Sequence, residues 1–177
     1  MAMKKLKQNE YKAAARAFAE GFATTPVYAE ILAGQEKAVD TLERFFADYL
    51  LGSKGFELYS TDGGFFAMYT QNSFVEGYLS EPEACFDALE RYMILDAYYQ
   101  KDFAVLDLMA VDPAKRGQGI GSKMIDFFVA RCNELGVTPL VEIFDSATRP
   151  LYERHGFTVT HSKITDGIET LVLEYKK

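Results

Sequence analysis

The chain has 177 residues, enough for one ordinary domain with its own core and too few for two of usual size, so residues 1–177 are read as a single domain. Hydrophobic residues make up 49% and charged residues 25%, which excludes a disordered chain, and a formal charge of −7 argues against nucleic-acid binding and suits a cationic or neutral substrate. No apolar run approaches the roughly 18 residues of a membrane span, MAMKKLKQNEY lacks the apolar segment of a secretory leader, and two cysteines (Cys85, Cys132) with two histidines (His155, His161) lack zinc-cluster spacing, so the expectations are no membrane, no metal, free thiols and a cytoplasmic location.

Asn9 reads as a helix N-cap, followed by Tyr11, Ala14, Ala15, Phe18 and Phe22 at helical spacing up to the break at Thr24, Thr25 and Pro26. A second helix is expected from about Glu36 to Leu51, with Val39, Leu42, Phe45, Phe46 and Tyr49 as a core stripe ending at Gly52. Gly55 to Tyr59 and Phe65 to Thr70 read as a hairpin around Ser60 to Gly64. Ser80 with Glu83 forms a capping box with Pro82 in the first turn, and Phe86, Leu89, Met93 and Ala97 keep helical phase, which predicts a long helix to about Gln100.

From Phe103 the pattern changes to FAVLDLMAV, an apolar run of strand length that opens at Asp112 and Pro113 into a polar turn. Ile120, Met124, Ile125, Phe127 and Phe128 mark a helix ending near Leu135, with Gly136 at its C-terminal cap, and Thr138 to Phe144 reads as the next strand. A short helix from about Ala147 to Arg154 closes at Gly156. Phe157 to Lys163 and Glu169 to Tyr175 form a last hairpin around Thr165, Asp166 and Gly167.

RGQGIGSK, between a buried strand and a helix, is an arrangement in which successive backbone N–H groups and the helix dipole surround a pyrophosphate. Two other phosphate loops fit poorly. Gly117, Gly119 and Gly121 place the third glycine one position before the dinucleotide fingerprint requires it, and Gly121, Ser122, Lys123 reverses the order of the nucleotide-triphosphate loop. A plain turn is the remaining structural alternative.

Val111-Asp112-Pro113 followed by Arg116-Gly117-Gln118-Gly119-Ile120-Gly121 resembles the acyl-CoA-binding motif of the GNAT superfamily of N-acyltransferases, written R/Q-x-x-G-x-G/A. Leu151-Tyr152-Glu153-Arg154-His155-Gly156-Phe157 is similar to that family's second signature, so the resemblance covers about residues 103–160, with a looser likeness at Ala17 to Tyr28. A narrower similarity points to the antibiotic-acetylating branch around puromycin N-acetyltransferase. The resemblance implies an α/β (α+β) fold: a mixed, mainly antiparallel sheet flanked by helices, with a first strand near Lys4 to Lys7 and splayed parallel fourth and fifth strands. It also implies acetyl-CoA as cosubstrate and acetyl transfer to a primary amine of a small molecule or peptide in a ternary complex. A non-catalytic CoA-binding or regulatory domain is the alternative, and a homodimer is left open.

By the same resemblance the pantetheine arm pairs with the end of the fourth strand, at Leu108, Met109, Ala110 and Val111, and the pyrophosphate sits on the amides of Gly117, Gln118, Gly119, Ile120, Gly121 and Ser122. Lys115, Arg116 and Lys123 flank that turn as charged donors or as solvated charges. Thr148 stands where many relatives carry an asparagine that contacts pantetheine. Tyr152 occupies the position of the family's general acid, with a packing role as its alternative. The base is sought among acids: Asp107, in an otherwise apolar strand, comes first and Glu142, in the next strand, second, a paired structural carboxylate being the alternative. Strand alternation places Val105, Asp107 and Met109 on one face and Leu106, Leu108 and Ala110 on the other. Phe22, Tyr28 and Tyr78 are the aromatic candidates for the acceptor pocket.

Overall fold

A computed structural model of the protein describes residues 2–95 and 102–176. Seven strands form one sheet: β1 (Lys4–Lys5), β2 (Phe56–Thr61), β3 (Gly64–Thr70), β4 (Phe103–Val111), β5 (Thr138–Ile143), β6 (Phe157–Thr165) and β7 (Ile168–Tyr175). Their order across the sheet is β1-β2-β3-β4-β5-β7-β6, and β4 with β5 is the parallel pair in an otherwise antiparallel set. This is the mixed, mainly antiparallel sheet expected. β1 is confined to two residues, shorter than the Lys4 to Lys7 reading.

One face of the sheet carries α1 (Tyr11–Phe22), α2 (Pro26–Ile31) and α3 (Ala38–Gly52), and the other carries α4 (Ile120–Leu135) and α5 (Arg149–Glu153). α1 buries Ala14, Ala15, Phe18 and Ala19, and α3 buries Thr41, Leu42, Phe45, Phe46 and Leu50, the faces given by their apolar spacing. Complete burial of Phe18 alone contributes about 1.5–3 kcal/mol. That outweighs the roughly 1 kcal/mol cost of Gly21 inside α1, where an added Cβ would stand 3.3 Å from the Ala110 Cβ. Asn9 lies within a 3₁₀ turn (Gln8–Glu10) preceding α1, so it does not cap the helix; the Lys7 N–H donates to the Glu10 carboxylate instead.

The long helix expected from Ser80 does not form over the described residues. Ala84–Arg91 is a 3₁₀ segment, and Ala97 and Gln100 fall outside the described residues. Three competing bonds explain the difference. Ser80 donates to Asp48 on α3 rather than capping its own segment, and the Ile94 and Leu95 amides donate to the Glu142 carboxylate at 2.6 and 3.0 Å instead of to a preceding helical carbonyl.

The even alternation expected along β4 is also broken. Ala67 of β3 faces Leu108 while the neighbouring Met68 faces Leu106, which leaves Asp107 as an unpaired bulge residue. Ala104 and Leu106 therefore pack towards α4, whereas Leu108 and Ala110 pack towards α1 and α3, and Met109 and Val111 return to the α4 side. Val105 and Met109 are thus on opposite faces. The bulge coincides with the parting of the parallel strands, because β4 and β5 stay in register from Phe103↔Thr138 only to Leu106↔Val141. Beyond that point the β5-facing edge of β4, from Asp107 to Val111, has no strand partner among the described residues.

Candidate active site

The glycine-rich turn is held from below before it offers anything to a ligand. The Asp112 N–H donates to the Gly63 carbonyl at 2.9 Å, the Asp112 carboxylate accepts from the Ala114 N–H at 2.9 Å, and Lys115 pairs with Asp62. Gly117 and Gly119 then adopt φ of 78° and 74°, a left-handed backbone that residues with a Cβ rarely take, and Gly119 leads directly into α4. Among the described residues no acceptor meets the N–H groups of Gly117, Gln118, Gly119, Ile120, Gly121 or Ser122. Six donors thus stand at the positive end of a 16-residue helix, an arrangement suited to an anion. Ile120 is buried against the α4 core and anchors the turn, while Gln118, Arg116 and Lys123 are exposed. Arg116 borders the central cavity. Lys115, engaged by Asp62, is already committed to an ion pair.

A cavity of about 780 Å³ opens where β4 and β5 part. Met109, Ala110 and Val111 on the free edge of β4 line it, as do Thr148 and Tyr152 on the side of α5. Thr148 donates its hydroxyl to the Asp145 carbonyl at 2.8 Å, a local bond that terminates the preceding turn. Tyr152 is buried, edge-on to Phe157 with ring centroids 5.9 Å apart, and burial raises the pKa of its hydroxyl, which keeps the proton on it at neutral pH.

Asp107 and Glu142 both line the cavity, but in different electrostatic states. The bulge turns Asp107 among aromatic rings of α3, and its Oδ2 is buried with no hydrogen-bond partner. Removal from water pushes the carboxyl up to about 7; the Tyr49 hydroxyl pulls it part of the way back, and the negative charges of Glu142 and Glu76 push it up again. It therefore exchanges a proton near neutrality. Glu142, by contrast, accepts two backbone N–H groups and ties the Ile94–Leu95 segment to β5. Among the described residues, no group of three or more His, Cys, Asp or Glu side chains is placed to hold a metal ion, and no helix is long and apolar enough to cross a membrane.

Phe22, Tyr28 and Tyr78 all line the cavity. Sequence reading overlooked Tyr49, Tyr69, Phe74 and Glu76, which line it too. Tyr49 has the spacing of the core stripe of α3 but is only half-buried, packing on Phe45 and Phe56, and its hydroxyl reaches Asp107 across a contact of 58 residues in sequence that no local pattern encodes.

The sequence profile of the acetyltransferase (GNAT) domain matches residues 63–159, more than half of the chain. No protein of curated function matches the chain in sequence. Among solved structures, a histone acetyltransferase HPA2 and related acetyltransferase from Corynebacterium glutamicum superposes with a TM-score of 0.69 at 15% identity, over 98% of this chain and 94% of that one. The C-terminal condensation domain of Ebony gives 0.69 at 9% identity, over 98% and 97%. A putative GNAT acetyltransferase from Desulfovibrio desulfuricans gives 0.55 at 17%, over 99% and 98%. These identities speak for the fold, and neither they nor the profile extend to the puromycin-acetylating branch. With the profile spanning the bulged strand, the glycine turn and the Tyr152 helix, the chain belongs to the GNAT acetyltransferase family.

Proposed function

We propose that the protein transfers the acetyl group of acetyl-CoA to a primary amine of a small molecule or peptide by direct attack in a ternary complex. The observation that carries this reading is the meeting, in one cavity, of a free strand edge, a proton-accepting carboxylate and a proton-bearing phenol at the point where β4 and β5 part. The donor set also fits CoA. Six amides without acceptors suit the pyrophosphate, with Arg116 beside them, and the unpaired edge from Leu108 to Val111 suits the amides of the pantetheine arm.

When bound, acetyl-CoA supplies an acyl carbon activated as a thioester. An alkylammonium cannot attack it until a proton leaves nitrogen, and Asp107, half ionised near pH 7, accepts that proton. The Tyr152 hydroxyl donates a proton to the departing thiolate, a role its burial favours by keeping it protonated. Glu142 holds the Ile94–Leu95 wall in place, which leaves the base role to Asp107. Thr148 and Ser122 border the cofactor's path through main-chain and hydroxyl groups.

Free-thiol release from acetyl-CoA, with both substrates varied, tests the reading. Intersecting initial-velocity lines are expected for a ternary complex. Parallel lines would indicate an acetylated enzyme instead, and saturable CoA binding without turnover over a broad amine panel would leave a non-catalytic binding domain.

A further inference from the structure

We infer that the acceptor is a small primary amine carried on an aromatic ring, an aryl-alkyl amine, because rings from α3, β3 and the following loop wall the arm of the cavity that begins at Asp107. The inference rests on the acetyl-transfer reading for the reaction and on the cavity for the specificity. Tyr69 and Phe74 stack with centroids 4.0 Å apart and planes 19° from parallel, and Tyr49 meets Phe74 edge-on at 6.3 Å. Phe45 lies parallel to Tyr49 at 6.3 Å, and Tyr78 closes the group at 5.6 Å from Tyr49 and 5.7 Å from Phe45. Such surfaces attract an ammonium group through their faces while it is charged, and they bury an apolar ring when it follows.

The polar inventory of this arm argues against the other amines. A peptide acceptor is held chiefly by main-chain hydrogen bonds, which need unpaired backbone. Here the loop's backbone is occupied at Val75 and Gly77. The Ser53 hydroxyl donates to the Gly77 carbonyl and accepts from its N–H, at 2.9 and 3.0 Å, and Lys54 and Val75 exchange both backbone bonds at 2.9 and 3.1 Å. A linear diamine needs a second carboxylate inside the arm. Glu142 is already bonded to two amides, and Glu76 is exposed and accepts the Tyr78 hydroxyl at 3.0 Å. Asp107, whose buried Oδ2 has no hydrogen-bond partner, stands beside Tyr49 and matches one amine on one ring.

The test compares 2-phenylethylamine with n-propylamine, 1,4-diaminobutane and a tri-alanine peptide as acceptors in thiol release, and measures binding of 2-phenylethylamine to the CoA-loaded protein by calorimetry. Burial of one ring predicts a kcat/KM for 2-phenylethylamine about 10- to 100-fold above that for n-propylamine. Phe74→Ala, with the milder Phe74→Leu beside it, should narrow that ratio through KM. Equal or better turnover of the propylamine, diamine or peptide would overturn the inference, as would failure of 2-phenylethylamine both to bind and to react. Saturable 2-phenylethylamine binding with no acetyl transfer to any amine would instead contradict the proposed reaction and leave the aromatic recognition standing.

Discussion

At Asp107 the same burial that suits a base also strains the fold, and this gives stability a definite pH dependence. The carboxyl has an ordinary value of 3.8 and about 7 in the folded chain. Between those two pH values the unfolded chain gives up its proton while the native chain keeps it. The native state then binds more protons, and stability falls as pH rises through this window. The favourable contribution is complete below 3.8 and gone above about 7, a difference on the order of a few kcal/mol. Asp107→Asn should therefore melt a few degrees above the native protein at pH 8, with the advantage shrinking towards pH 4; equal melting at both pH values would contradict a desolvated carboxylate. Tyr152→Phe keeps the ring against Phe157 and removes only the hydroxyl. Turnover should drop about 10- to 1000-fold with CoA affinity unchanged, whereas an unaltered kcat with chemistry rate-limiting would return Tyr152 to packing.

Among the elements, the turn before α4 offers an internal control. Gly119 and Gly136 have φ of 74° and 69°, and an added Cβ would meet nothing within 4 Å at either. Alanine at each should cost a similar amount, about 1–2 kcal/mol of fold stability, from backbone strain alone. Only Gly119→Ala should also weaken CoA binding in calorimetry, because only that backbone supplies ligand amides; equal CoA affinity in the two variants would remove the turn from the cofactor site. Glu142→Ala should lower stability by roughly 1–3 kcal/mol, since the Ile94 and Leu95 amides lose their acceptor, and should move the pH midpoint of activity downward, since the Glu142 charge helps to hold the Asp107 carboxyl up. Loss of the rise in activity with pH would reinstate Glu142 as the base. The elements after Phe103 were legible because their signals are local: a nine-residue apolar strand, glycines at the φ > 0 positions and Gly136 at the end of α4. The segment after Ser80 was not, because its helical phase competes with bonds to Asp48 and Glu142 from elsewhere in the chain. The bulge at Asp107 was hidden for a related reason: nothing within FAVLDLMAV marks an extra residue, and the slip exists only in its pairing with Ala67 and Met68.

Across the whole molecule, the two sheet faces divide the work at the gap between β4 and β5. α4, α5 and the glycine turn lie on one side with the six amides that lack acceptors, while α1, α3 and the β3 loop on the other supply the aromatic wall, and the bulge places Asp107 at the junction. Motif reading found the first half because main-chain donors require glycines at fixed spacing. Aromatic spacing alone could not separate a pocket wall from a core, as Phe45 and Phe46 belong to both. We propose that this junction performs acetyl transfer with Asp107 taking the amine's proton. The most direct test is the pH dependence of kcat/KM for the amine, read as thiol release, in the native protein and in Asp107→Asn. Native activity should rise through about pH 7 and level off, and the variant should be at least about 100-fold slower near neutrality and recover towards the pKa of the free amine. A variant that keeps the native profile would contradict the account.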